Sequence, residues 1–165
     1  MSTSQVSTDD FSIELPPQWI ERPNDSGKEF VSPQGDEQII VTVNLAKKPL
    51  QTTALRPAVD EMVAVRQRSI VNLSGGTGMV MPVKHENNDS AASTSFVGAD
   101  LVNSVFIFGR VVATTSRIVT VSYYAYDGKD QETFTARAEP VCQSLTVKDS
   151  PVPQRRWWQR WRTVK

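Results

Sequence analysis

Hydrophobic and polar positions alternate with a period of two along several stretches of this chain. Phe11, Ile13 and Leu15 alternate with Ser12 and Glu14, the period of a half-buried strand. Pro16-Pro17 ends it, because proline has no N–H to give a ladder, and Trp19 follows in a loop expected to fold back onto the core. Asn24-Asp25-Ser26-Gly27 reads as a turn. Residues 29–32 form a short strand, joined through Pro33-Gln34-Gly35-Asp36 to a longer one at 38–46. There Ile39, Val41, Val43 and Leu45 share a face.

The period then changes. Val59, Met62, Val63, Ile70 and Leu73 recur at helical spacing over 57–73, with Arg66 and Gln67 facing water. Pro57 suits a first helical turn, and Ser74-Gly75-Gly76 stops the helix. Alternation returns at Met79, Met81 and Val83. Residues 91–98 and 102–113 are Thr-, Val- and Phe-rich and are joined by Ala99-Asp100. Residues 117–126 place Ile118, Thr120, Ser122 and Tyr124 on one face and Val119, Val121 and Tyr123 on the other. After an Asp127-Gly128 turn, Phe134, Ala138, Val141, Cys142 and Leu145 stripe a helix over 130–145, which Pro140 should kink or shorten. Strands this close in sequence, without crossover helices, pair antiparallel. The pattern predicts an α+β domain: a mostly antiparallel sheet flanked by two main helices, an α/β/α-type sandwich.

Length and charge divide the chain. At 165 residues it is the size of one domain, able to bury roughly two-thirds of its unfolded surface without a staple. Residues 1–8 read as a disordered lead, 9–149 as the domain and 150–153 as a Pro-rich linker. Residues 154–165 are a basic, Trp-rich tail. The formal net charge of +0 hides a polarity: the tail holds five bases and no acid, leaving 13 bases against 18 acids in residues 1–153. Three of the four tryptophans share those twelve residues.

One cysteine excludes an intrachain disulfide, and one histidine excludes the two-His zinc motifs. The first ten residues show no basic and apolar signal pattern, and the apolar runs are too short to span a membrane, so a cytoplasmic location is expected.

Four segments together have a familiar order. F-S-I-E-L-P-P-Q-W opens the domain at 11–19, and I-I-V-T-V follows at 39–43, ahead of a long helix. V-T-V-S-Y stands at 119–123, and S-L-T-V at 144–147 closes the last helix. Over residues 9–148 this resembles the PsbP-like superfamily, which includes Ran-binding nucleotide-release factors and bacterial DcrB-like proteins. The resemblance implies a non-enzymatic subunit, adaptor or chaperone that binds other proteins. One bacterial branch serves type VI secretion from the cytoplasm and shields hydrophobic segments of secreted effectors. No functional residue is carried over from it.

Candidate chemistry is sparse. His85 reads as an exposed strand-end histidine, since nothing in sequence supplies the partner a general base needs. Cys142 reads as a buried structural thiol, and 74–78 as a helix cap rather than a phosphate cradle, which would need a following Lys-Ser/Thr. Asp9-Asp10, and Asp25 with Glu29, read as turn and capping carboxylates. No metal or cofactor and no enzymatic activity is expected.

Met62, Met79 and Met81 are candidates for an adaptable groove. On a helix Trp157, Trp161 and Val164 would form a stripe beside Trp158, flanked by Arg155, Arg156, Arg160 and Arg162. Such a segment suits an anionic membrane surface or a protein partner, with nucleic acid less favoured, or it docks on its own acidic domain. The expected function is a protein-binding module for a hydrophobic partner segment, such as that of a secreted effector. The alternative is a peripheral membrane protein held by the tail, and a homodimer is compatible with either.

Overall fold

The computed structural model describes residues 3–126, 128 and 130–149. Among the described residues ten strands and two α-helices follow the order β1 (Ser4–Ser7), β2 (Phe11–Leu15), β3 (Ile20–Arg22), β4 (Gly27–Val31), β5 (Glu37–Leu45), α1 (Leu55–Leu73), β6 (Met79–Asn87), β7 (Ala91–Asp100), β8 (Val105–Thr114), β9 (Arg117–Ala125), α2 (Gln131–Gln143) and β10 (Thr146–Val147). A seven-stranded sheet runs β3-β4-β5-β9-β8-β7-β6, and a three-stranded sheet runs β1-β2-β10. Every pairing is antiparallel. This is the α+β sandwich that the hydrophobic pattern predicts.

The large sheet is covered on both faces, which its alternation encodes. On β9, Val119, Val121 and Tyr123 enter one core with Phe11, Phe30, Phe108, Phe134 and Cys142, beneath α2 and the small sheet. Ile118 and Tyr124 point into a second core with Val59, Val63, Ile70 and Phe96, beneath α1. Trp19 does fold back: its ring meets Tyr123 edge-on at 5.3 Å. Gly109 on β8 lies under the Phe96 ring, where an added Cβ would come within 2.1 Å of Cζ. That close approach is why β8 tolerates glycine at its centre.

The C-terminus of α1 and both ends of α2 find hydrogen-bond partners. Gly76 N–H reaches the Val71 carbonyl at 2.8 Å and Gly75 N–H that of Asn72 at 3.3 Å, with positive φ at both glycines. This is a Schellman cap, as Ser74-Gly75-Gly76 implies. At α2, Asp130 accepts from Glu132 N–H at 3.0 Å. The C-terminus has no basic residue of its own. Arg110 of β8 supplies the charge, donating to the Gln143 and Leu145 carbonyls at 3.2 and 3.3 Å. Pro140 lies inside α2, which continues through it to Gln143.

Several details depart from the sequence reading, among them that Ile20–Arg22 and Thr146–Val147 are short strands. Residues 4–7 are a strand: they pair with β2, and Val6 packs against the core. Their polar composition hid this, because only one side chain in four faces inward. The turn expected at Ala99-Asp100 lies at 101–104, since β7 continues through Asp100. Leu45 and Leu73 are 52 and 83% exposed, because each ends its element beyond the covering layer. Arg66 and Gln67 are half-buried, and Gln67 Nε2 donates to the Val80 carbonyl at 3.0 Å.

That last bond bears on the edge of the sheet. β6 pairs with β7 and is the outermost strand on its side. Pro82 brings no N–H, the register slips between Pro82 and Lys84, and Gln67 occupies the Val80 carbonyl. These features blunt an edge that would otherwise invite another strand.

Candidate functional site

Several exposed apolar side chains gather around the β7–β8 turn, while others, such as Ile20 and Leu45, lie elsewhere. Asp100 organises that turn. Its Oδ1 accepts from the N–H groups of Val102 and Asn103, both at 3.2 Å, and from Thr77 Oγ1 at 2.9 Å. Its Oδ2 accepts from Asn103 Nδ2 at 2.6 Å. The Asn103 amide, with Thr77 and the two backbone N–H groups, holds the Asp100 carboxyl below its ordinary value. Ser104 closes the turn with φ at +55°. With its polar groups turned inward, the turn presents Leu101 and Val102 outward at 74 and 75% exposure.

A hollow of about 230 Å³ lies beside the turn on the α2 face, lined chiefly by Met79, Met81, Val97, Ala99, Leu101 and Val102. Among the described residues its polar lining is Thr77 and Gln131, with no charged side chain. On the α1 face a second hollow of about 330 Å³ holds Ile70, Leu73, Val105, Ile107, Tyr124 and Tyr126. The two tyrosine rings are nearly parallel, with centroids 6.1 Å apart. Burial, with Tyr124 and Glu29 nearby, pushes the Tyr126 phenol up to about 12, so it is neutral at physiological pH.

The three candidate groove methionines do not share one groove. Met79 and Met81 stand together on the α2 face, 63 and 54% exposed. Met62 packs against the core under α1, on the other side of the sheet. The tail residues Arg155, Arg156, Trp157, Trp158, Arg160, Trp161 and Arg162 lie outside the described residues. Asp149 is fixed at the β8–β9 turn, accepting from Thr115 Oγ1 at 3.0 Å and Ser116 N–H at 3.2 Å. That turn is at the opposite end of β8 from Leu101 and Val102.

Other polar groups are committed to structure. His85 Nδ1 lies 3.0 Å from Arg56 Nη1 and 2.8 Å from Thr94 Oγ1. Arg56 also donates to Thr94, Asn87, Asp60 and the Ser93 carbonyl, tying the start of α1 to the β6–β7 hairpin. Sequence reasoning missed this clasp, whose members are scattered between residues 56 and 94. Cys142 is fully buried, and burial pushes its thiol far up, away from nucleophilic use. Gly78 N–H is taken by Ser74 Oγ at 2.7 Å, so the 74–78 loop does not hold that donor free for a phosphate.

Acidic Asp36, Glu37 and Asp130 line a third hollow with Arg137. Each is engaged: Ser32 donates to Asp36, Tyr123 and Arg137 to Glu37, and Thr133 to Asp130. Among the described residues no group of three His, Cys, Asp or Glu side chains could hold a metal ion. No helix among them is long and apolar enough to cross a membrane.

The class of molecule is thus an α/β/α sandwich with exposed apolar side chains gathered around one turn. No family model matches the chain, and no curated protein matches it. Among solved structures it is similar to LpqN of Mycobacterium tuberculosis, described as involved in cell envelope biogenesis. The two share 10% identity and a TM-score of 0.51, over 89% of this chain and 91% of LpqN. At that identity the likeness shows a common fold.

Proposed function

We propose that this chain is a non-enzymatic protein-binding module of the PsbP-like type, an adaptor or secretion-associated chaperone. Its apolar end covers a hydrophobic segment of a partner. The observation that carries the reading is the Leu101-Val102 tip, held out by Asp100 beside the hollow of Met79 and Met81. Large apolar residues exposed together in a locked turn mark an interaction surface rather than scattered surface leucines. Methionines adapt their shape, which suits segments of varied sequence. The described residues that line the hollow carry no charge, which favours an uncharged Leu-, Val- or Phe-rich segment over a basic or acidic one.

The test is binding to a synthetic peptide panel graded in hydrophobicity and charge, read by fluorescence anisotropy. Uncharged apolar peptides are expected to bind best, and Met81→Glu to weaken them at least about tenfold, the scale of a lost interface anchor. Preference for charged peptides, or indifference to Met81→Glu, overturns the reading.

A further inference from the structure

We infer that the tryptophans of residues 154–165 occupy the Met79–Met81 hollow of their own chain, so that the tail is a tethered competitor of the partner segment. The inference rests on the partner-binding reading of that hollow and names its regulation. Place of exit argues first. Asp149, fixed at the β8–β9 turn, is the last described residue. Just before it, β10 pairs with β2 in the small sheet, which lies on the α2 face. The chain therefore leaves on the face that holds this hollow, whereas the hollow of Ile70 and Tyr124 is on the other side of the sheet. Length argues next. Met81 pairs with Val97 and Val97 with Phe108, seven residues before Thr115 on β8. At about 3.4 Å per residue and about 4.8 Å per strand, the hollow is about 24 Å along the sheet from the exit and about 10 Å across it. An extended chain covers that separation in about eight residues. Trp157, Trp158 and Trp161 stand eight, nine and twelve residues beyond Asp149, so the cluster begins where the reach becomes sufficient. Pro151 and Pro153 favour an extended start.

Chemistry along the route matches the tail in the same order. Gln131 lines the hollow, and Gln143 Nε2 donates to Ser95 Oγ of β7 at 3.0 Å. The α2 stripe of Gln131, Thr135, Glu139 and Gln143, at i, i+4 spacing, therefore faces β7. This puts Glu139 between the exit and the hollow, exposed and without an ion pair among the described residues. Arg155 and Arg156 come just before Trp157, as Glu139 comes just before the methionines. The cations of this face, Lys84 and Arg110, are held on Glu86. Across the whole chain, 18 acids and 13 bases in residues 1–153 oppose a tail of five bases. In the hollow itself, thioether sulfur and indole rings attract, and Thr77 and Gln131 offer oxygens to an indole N–H. The arginines stay outside the uncharged hollow, so an apolar segment and the tail compete for the same lining. Tethering supplies a local concentration on the order of millimolar, enough for contacts too weak to hold separate molecules.

Acrylamide quenching of tryptophan emission in the full chain tests the contact without any ligand. Subtracting the signal of Trp157→Ser/Trp158→Ser/Trp161→Ser removes Trp19 and leaves the tail. The tail is expected to be shielded relative to a free peptide of residues 154–165. Met79→Ser/Met81→Ser, at exposed positions of an outer strand, should raise its quenching to the free-peptide level with an unchanged circular dichroism spectrum, and Glu139→Lys should raise it part of the way. In the second arm, an uncharged apolar peptide should bind the triple tryptophan variant at least about tenfold more tightly than the parent, since the competitor is gone. A parent tail quenched like the free peptide overturns the inference, as does shielding that survives loss of both methionines. Shielding that grows with protein concentration from about 1 to about 100 μM also overturns it, because the tail then sits on a neighbouring molecule, at the affinities such a range spans. Equal peptide affinity in parent and tryptophan variant, with Met81 still required, ends this inference and leaves the partner reading standing. A methionine-dependent shielded tail, with no peptide bound by either protein, ends the partner reading and leaves the contact.

Discussion

Asn103 Nδ2 donates to Asp100 Oδ2 at 2.6 Å, and this bond fixes the turn that holds Leu101 and Val102 in solvent. The carboxylate also engages Thr77, just before β6, so one side chain links two strands of the apolar end.

This makes the tip sensitive to acid. Asn103 and its companions hold the folded Asp100 carboxyl below its unfolded value. The stabilisation is therefore complete above about 4, the ordinary carboxylate value, and is lost as pH falls through the lower folded value. Hydrogen exchange of the Val102 and Asn103 amides, corrected for intrinsic rates, should show protection that disappears on acidification. In Asp100→Ala the same amides should be unprotected at every pH. Protection that persists in the variant would assign the turn to other contacts.

At the other end, Arg56 clasps α1 to the β6–β7 hairpin through Thr94 at 2.6 Å and the Ser93 carbonyl at 2.7 Å. Arg56→Ala should lower stability by about 2 kcal/mol, within the range for hydrogen bonds to a charged group. For a domain of this size that is a fall of roughly 4–8 °C in Tm. Arg56→Lys should recover little, because an ammonium cannot reproduce the planar fork. Calorimetric melting of the three proteins checks both points.

Cys142 donates weakly to the Phe108 carbonyl at 3.7 Å and is sealed beneath α2. Burial raises its pKa, so little thiolate exists in the folded state at neutral pH. Alkylation by iodoacetamide should therefore follow unfolding, accelerating with denaturant in step with the loss of tertiary signal. Rapid labelling of native protein would mean that the α2 layer opens locally.

How much of this was legible depended on how local each signal was. Alternation on β5 and β9 announced a two-faced sheet, because a strand's side chains take opposite sides whatever its neighbours are. The α1 cap was equally readable, since glycine after the last helical turn supplies the backbone geometry by itself. The apolar end was only half legible. Met79 and Met81 stood out as a pair, but the alternation of β6 does not say which face a helix will cover. The turn was misplaced by two residues, although Asp100 and Asn103, three apart, carry the side chains that favour such a turn. Read that way, they would have put Leu101 and Val102 on the tip.

The sequence by itself determined most of the element types, the antiparallel sheet and the split between an acidic body and a basic tail. These follow from periodicity, glycine and proline chemistry, and counted charge, all properties of residues near one another in the chain. Tertiary structure alone decided that Val6 and its polar neighbours form a strand, that Met62 parts from Met79 and Met81, and that Arg56 meets Thr94. It also gathered Leu73, Met79, Leu101 and Tyr126 at one end. Each depends on which surfaces the packed layers cover, and the free energy of burial is settled by neighbours distant in sequence.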